Sequence, residues 1–127
     1  MRIFKIKWFA RFARSERIDD ASLREAVDRA ARGLVDADLG GGLIKQRVAR
    51  KGRGRSGGYR TLIALRVERR AVFLYGFAKN EMENIERSQL EDLRRVARYW
   101  IEAAPQEISA ALASGAIEET PHDENDA

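Results

Sequence analysis

Residues 71–78, AVFLYGFA, form a nearly continuous apolar run. A strand that faces water on one side alternates polar and apolar residues, whereas an unbroken apolar run predicts a central strand buried on both faces. A second predicted strand extends from about Tyr59 to Glu68, and only a tight connection at Glu68–Arg70 separates the two. We therefore expect them to pair as an antiparallel hairpin.

The remaining segments predict further strands and helices around this hairpin. Residues 2–9 are rich in Ile, Phe and Trp and predict a strand, and residues 43–49 predict a short strand or extended arm. Ser22 and Ser88 each precede a Glu at capping-box spacing and predict two helix starts. The first helix should bury Leu23, Ala26, Val27, Ala30 and Leu34 and stop in the turn-forming residues 36–42; the second should end before Pro105, with a short helix closing at Gly115. The order β-α-β-β-α predicts an α+β fold.

Charge divides the chain into two parts. Residues 118–127 carry five acids and no Lys or Arg, so we expect a domain over residues 1–117 and an acidic, disordered tail over 118–127. Without the tail, 24 basic and 15 acidic residues remain, a net charge of +9. Between Lys45 and Arg70 there are ten Lys or Arg and one acid. Such a block favours a polyanionic partner, although a solvated charged face is the simpler alternative.

The glycines in KGRGRSGGYR, residues 51–60, fit the pattern G-x-G-x-x-G. A dinucleotide-binding loop requires a helix after the glycines, and here a predicted strand follows. The intervening positions also hold bulky Arg53 and Arg55, so we expect no nucleotide cofactor. The glycines instead expose a backbone that lets neighbouring basic residues approach phosphates. A mobile basic loop without function is the alternative.

The absence of cysteine excludes disulfides and thiol catalysis and fits a reducing cytoplasm. The N-terminal segment MRIFKIKWFARFAR is interrupted by Arg or Lys every one or two positions, so the sequence predicts a cytoplasmic protein without a membrane span. An amphipathic segment on a membrane surface is the alternative to the predicted strand.

Two longer segments, GGLIKQRVARKGRGRSGGYRTLIAL and FLYGFAKNEMENI, resemble the RelE/HigB toxins of type II toxin–antitoxin systems. The resemblance covers roughly residues 3–115. It implies a small, twisted, mainly antiparallel sheet with flanking helices. It also implies an endoribonuclease that enters the ribosomal A site, cleaves mRNA and so blocks translation. The implied partners are the ribosome, mRNA and a cognate antitoxin, often a helix-turn-helix protein.

The chemistry available for RNA cleavage is restricted. Cleavage without a metal requires a base for the 2′-OH, stabilisation of the pentavalent phosphate and an acid for the 5′-oxygen. The only histidine is His122 in the acidic tail, and acids for a metal site are scarce in the basic half, so we expect no metal. Lys, Arg and Tyr remain, and clustered positive charge lowers the pKa of a lysine.

The resemblance carries these roles to particular positions. Arg60 follows the Gly-Gly-Tyr step and is expected to stabilise the phosphate, and Lys79 is the expected general acid or base. Tyr59 and Tyr75 could stack a base or orient a phosphate, and ordinary core or edge packing is the alternative for both. The chain lacks a distinct histidine or C-terminal tyrosine for catalysis, which leaves the acid–base pair open. Expected RNA-binding residues are Lys45, Arg47, Lys51, Arg53, Arg55 and Tyr59.

Two other functions fit the same sequence. The related ParE toxins share the fold but act on DNA gyrase without nuclease activity, and a plain RNA-binding module would need no catalytic group. The dense basic block favours RNA over gyrase as the target.

Overall fold

The structure is a computed structural model that describes residues 1–50, 54–78 and 87–121, without the side chains of residues 54–57. In these ranges the chain is an α+β fold of six strands and four helices, and none of these helices is long and apolar enough to cross a membrane. The elements in chain order are β1 (Arg2–Ile6), α1 (Lys7–Ser15), α2 (Asp20–Ala31), β2 (Ala37–Gly40), β3 (Leu43–Arg50), β4 (Gly54–Arg66), β5 (Arg70–Ala78), α3 (Arg87–Glu102), α4 (Pro105–Ser114) and β6 (Ile117–Glu119).

The strands form one sheet in the order β2-β3-β4-β5-β1-β6. Neighbouring strands are antiparallel except β5 and β1, which are parallel. β5 lies between β4 and β1 with most of its residues buried, so the prediction of a central strand is confirmed. The predicted hairpin is also confirmed, because Arg66 pairs with Arg70 across a turn in which Glu68 adopts a φ of 68°.

Helices cover both faces of the sheet. On one face, Phe9 of α1 and Leu23 of α2 pack with Phe73 of β5. On the other, Ala97 of α3 and Ile108 of α4 belong to a second buried cluster of side chains from the same strands. A register shift between β4 and β5 at Leu62 and Ile63 changes the alternation locally. These two layers explain why the central strands are apolar on both sides.

The N-terminal segment differs from the predicted strand over residues 2–9. β1 ends at Ile6, and residues 7–15 form α1. Phe9 and Ala13 are spaced one helical turn apart and are both buried, with Phe12 packed beside them. The helical spacing of these side chains therefore outweighs the β-propensity of the aromatic residues.

The boundaries of α2 also differ from the prediction. The Asp19 side chain, not Ser22, caps the helix by accepting a hydrogen bond of 2.8 Å from the Ser22 main-chain nitrogen. The helix ends at Ala31, so Leu34 lies outside it and is 59% exposed. The predicted turn over residues 36–42 contains β2, and Ser88 lies inside α3 rather than at its N-cap.

The C-terminal boundary expected after Ile117 falls inside β6. Glu118 and Glu119 pair with β1, and their carboxylates form ion pairs with Arg14 and Arg2. Thr120 is buried, and its main-chain nitrogen donates to the Ile3 carbonyl at 2.8 Å. Residues 118–121 thus belong to the fold, and the rest of the expected tail, residues 122–127, lies outside the described residues.

Truncation should separate these two parts of the C-terminus. A chain ending at Ile117 loses most of the β1–β6 pairing and the Thr120 contact, so its Tm should fall by roughly 5–10 °C. A chain ending at Pro121 keeps both and should match the full-length protein. Thermal unfolding followed by circular dichroism measures the difference. Equal Tm values for the two truncations would show that residues 118–121 contribute nothing to stability.

Candidate nucleic-acid interface

Successive side chains of strand β3 lie on opposite faces of the sheet. Ile44 and Val48 belong to the cluster under α1 and α2, and the Gln46 amide donates to the Ala26 carbonyl of α2. Because side chains alternate along a strand, Lys45 and Arg47 project from the opposite face. Lys45 is half-buried and Arg47 is exposed. The two cations thus lie two residues apart on one face.

Arg60 lies directly opposite Arg47 in the antiparallel pairing of β3 and β4. Like charges at directly opposed positions destabilise a sheet. Arg60 is half-buried, and within the described ranges its Nη1 is buried without a hydrogen-bond partner. A buried donor without an acceptor costs about 1–3 kcal/mol. An anion bound between the two guanidinium groups would relieve both costs.

Aromatic rings continue the site along β5. Phe77 pairs with Arg60 across β4 and β5, and its ring lies 6.1 Å from that of Tyr75. Tyr75 in turn stacks on Trp8 of α1, with centroids 4.6 Å apart and planes 23° apart. Trp8 is 44% exposed and also stacks on Phe12. The strand prediction for residues 2–9 did not identify Trp8 as a neighbour of this face, because only the helix places it there.

Tyr59 does not lie on this face. It is only 2% exposed and packs in the core under α1, where its hydroxyl donates to the Glu16 carbonyl at 3.4 Å. Its ring meets that of Phe12 edge-on at 5.7 Å. The structure therefore gives no support to the prediction that Tyr59 contacts RNA, because in this conformation core side chains enclose its ring.

The other predicted residues are only partly located. Arg55 lies in β4, which begins at Gly54, so it belongs to a strand and not to the predicted loop; its side chain is outside the description. Lys51, Arg53 and Lys79 lie outside the described residues. Ala78, which precedes Lys79 in the sequence, pairs with Tyr59 next to Arg60. Of the predicted catalytic pair, Arg60 and Lys79, the described residues include only Arg60.

The arginines at the opposite end of the β4–β5 hairpin have a structural role. Nη1 of Arg70 donates to the carbonyls of Trp100 and Ala103 at 2.9 and 2.8 Å, and Nη1 of Arg66 donates to Ile101 at 3.2 Å. These contacts satisfy carbonyls at and just beyond the end of α3, where cations are also favoured by the helix dipole. Burial, followed by the charges of nearby arginines, lowers the pKa of Arg70. Part of the basic block therefore stabilises a helix and is not available to a ligand.

The comparison with known families agrees with the fold. The family model described as the RelE toxin of the RelE/RelB toxin–antitoxin system matches residues 1–120. No curated protein gives a significant match to the sequence. Membership of such a family implies a cognate antitoxin as partner. With nearly the whole chain matched, the protein belongs to the RelE family of toxins from toxin–antitoxin systems.

Proposed function

We propose that this toxin is a ribosome-dependent mRNA endonuclease that blocks translation. The observation that carries the proposal is Nη1 of Arg60, which is buried without a hydrogen-bond partner among the described residues, in a residue paired with the exposed Arg47. Two guanidinium groups on one sheet face suit the bidentate recognition of a phosphate. Family membership indicates that the protein is a toxin with a cellular target, and the cationic face favours RNA as that target.

Each step of the cleavage needs a group from the chain or from the ribosome. Arg60 would contact the scissile phosphate and stabilise the charge that builds up in the pentavalent transition state. Lys79 would transfer a proton to or from the reacting oxygens. It directly follows Ala78, and Ala78 pairs with Tyr59, the neighbour of Arg60 in β4. The ribosome would supply the remaining orientation of the mRNA in the A site.

The surrounding cations would hold the RNA by charge. Lys45 and Arg47 share the face of Arg60, and we propose that Lys51, Arg53 and Arg55 add phosphate contacts nearby. The contacts of Lys45, Lys51, Arg53 and Arg55 would weaken as salt rises, whereas a contact to the scissile phosphate, by Arg60 or by the opposed Arg47, would show in the rate at saturation. The antitoxin, which we expect to be a helix-turn-helix protein, would cover or distort this face through an acidic or amphipathic segment. The site of action would be the cytoplasm, where ribosomes translate.

Controlled expression tests the proposal. Inducing the protein in cells should arrest growth and produce mRNA cuts, mapped by primer extension, that disappear when translation initiation is blocked. Co-expression of the antitoxin should restore growth. Cuts at equal rates in naked RNA would contradict ribosome dependence. Intact mRNA together with inhibited gyrase would assign the protein to the ParE type of activity.

A further inference from the structure

The main chain of Arg47 is held by side chains where a neighbouring strand is missing. The last pair that β2 forms with β3 in this direction is Ala37 with Lys45, so Arg47 lies past the end of β2. Oδ2 of Asp36 accepts a hydrogen bond of 2.6 Å from the Arg47 nitrogen, and Nη2 of Arg29 donates to the Arg47 carbonyl. The main-chain N–H and C=O of Arg47 are therefore both hydrogen-bonded, by residues of α2 and of the loop after it.

The side chains that hold Arg47 are themselves fixed. The Arg29 side chain is only 7% exposed and forms ion pairs with Glu25 and Asp36. Next to it, Nε2 of Gln46 donates to the carbonyls of Ala26 and Leu34 at 3.0 and 3.1 Å. Oε1 of Gln46 accepts from the Asp36 nitrogen at 3.0 Å. A buried network with satisfied partners has little freedom to shift, so the position of Arg47 is well defined.

This arrangement determines how closely Arg47 approaches Arg60. Opposed residues in an antiparallel pair alternate between hydrogen-bonded pairs and closer, non-hydrogen-bonded pairs. Because the Arg47 main chain bonds outward to Asp36 and Arg29, Arg47 and Arg60 form a pair of the closer type. Their like charges favour separation, and the outer-edge hydrogen bonds of Arg47, together with the β3–β4 pairing on either side of it, keep its main chain in place.

We propose that Asp36 and Arg29 are positioning residues that hold Arg47 against Arg60 as a two-guanidinium clamp for one phosphate. The inference rests on the proposed function in one respect, that the clamped phosphate belongs to mRNA. Asp36 and Arg29 bond to the outer edge of β3, and they act on RNA only through the main chain of Arg47. Neither Arg29 nor Asp36 stands out in the sequence, because the contacts join α2 and its loop to a strand 18 and 11 residues away.

Substitutions at Asp36 test the clamp. Asp36→Ala removes the acceptor for the Arg47 nitrogen and should lower the single-turnover cleavage rate on programmed ribosomes by about 10–100-fold, the cost of a small misplacement of a reacting group. Asp36→Asn keeps an acceptor oxygen and should restore most of the rate. Asp19→Ala is the matched control, since it removes the side chain that caps α2, the helix that carries Arg29, by accepting from the Ser22 nitrogen. It should lower the Tm and leave the cleavage rate of the folded protein unchanged.

A double-substitution cycle distinguishes positioning from general loss of structure. In a background carrying Arg47→Ala, Asp36→Ala should cause no further fall in the rate, because the residue it positions is already absent. Rate losses that multiply would overturn the proposal. An Asp36→Asn protein as slow as Asp36→Ala would also overturn it. If Asp36→Ala does not fold, the cycle is run with Arg29→Lys, which keeps the charge and loses the planar donor fork.

Binding of inorganic phosphate tests the clamp without any cleavage. In ¹⁵N spectra of arginine side chains, phosphate should shift the Arg47 and Arg60 signals with one midpoint, and Asp36→Ala should raise that midpoint by about tenfold or abolish the response. If the wild-type protein cuts no mRNA but shows this behaviour, the endonuclease function fails and the clamp stands. A wild-type protein whose two signals do not respond together, or an Asp36→Ala protein with an unchanged midpoint, overturns the clamp whatever the cleavage assay shows.

Discussion

Replacing Arg60 by alanine should lower the single-turnover rate of mRNA cleavage on programmed ribosomes by about 10²–10³-fold, as loss of one preorganised transition-state donor does in other enzymes. Ribosome binding should change much less, because the other cations of the face remain. The expectation rests on the buried Nη1 that has no acceptor within the described ranges. Lys79→Ala should show the same division between rate and binding if Lys79 is the proton-transfer group.

The matched control for Arg60 is Arg69, an exposed arginine in the turn at the other end of the same hairpin. Arg69→Ala removes the same charge and should cleave at the parental rate. If Arg60→Ala also cleaves at the parental rate once bound, Arg60 is not catalytic, and the phosphate must be stabilised by Lys45, Arg47 or Lys51.

A substitution of Arg60 that lowers activity should leave stability equal or raise it. Arg60→Met keeps an apolar stem but removes the repulsion from Arg47 and a buried donor that has no partner in the part of the chain that the structure describes. Its Tm should equal or exceed that of the wild type, which is the usual relation between stability and a strained functional site. A clear fall in the Tm of Arg60→Met would indicate that the Arg60 guanidinium already stabilises the protein without a ligand, which would contradict the proposed phosphate site.

Gly58→Ala should destabilise the protein by about 3 kcal/mol, among the larger effects of a single substitution. A Cβ at this position would lie 2.1 Å from the Val48 carbonyl oxygen and 2.9 Å from the Arg50 nitrogen. Both atoms belong to the main chain of β3, where the register shifts between Val48 and Arg50, so neither can move like a flexible side chain. Chemical denaturation measures the free energy of unfolding.

Gly33→Ala provides the comparison for Gly58. Gly33 has a φ of +85° and its added Cβ would meet nothing within 4 Å, so only the cost of the left-handed backbone remains, about 1 kcal/mol. If Gly58→Ala costs no more than Gly33→Ala, the close approach of β4 to β3 is not what requires glycine at position 58.

Local signals in the sequence predicted the elements that local physics determines. The unbroken apolar run over residues 71–78 indicated a central strand, since no polar side chain there requires water. Gly115 indicated the end of α4, where it adopts a φ of 81°. Lys45 and Arg47 are two residues apart, so a strand over residues 43–49 carries both on one face, because alternation is a property of any strand. The motifs around Arg60 indicated the RelE family over roughly residues 3–115, and the family model matches residues 1–120.

The tertiary structure decided what depends on partners distant in the sequence. Residues 7–9 are helical because the face carrying Phe9 and Ala13 packs on the sheet, although their composition favours a strand. Tyr59 is in the core and its neighbour Arg60 is on the face that carries Arg47, because the other side of β4 meets α1. The opposition of Arg47 and Arg60, and the anchoring of Arg47 by Asp36 and Arg29, require a defined strand register. Composition and periodicity specify which residues can share a face, but register and long-range packing alone specify which of them meet.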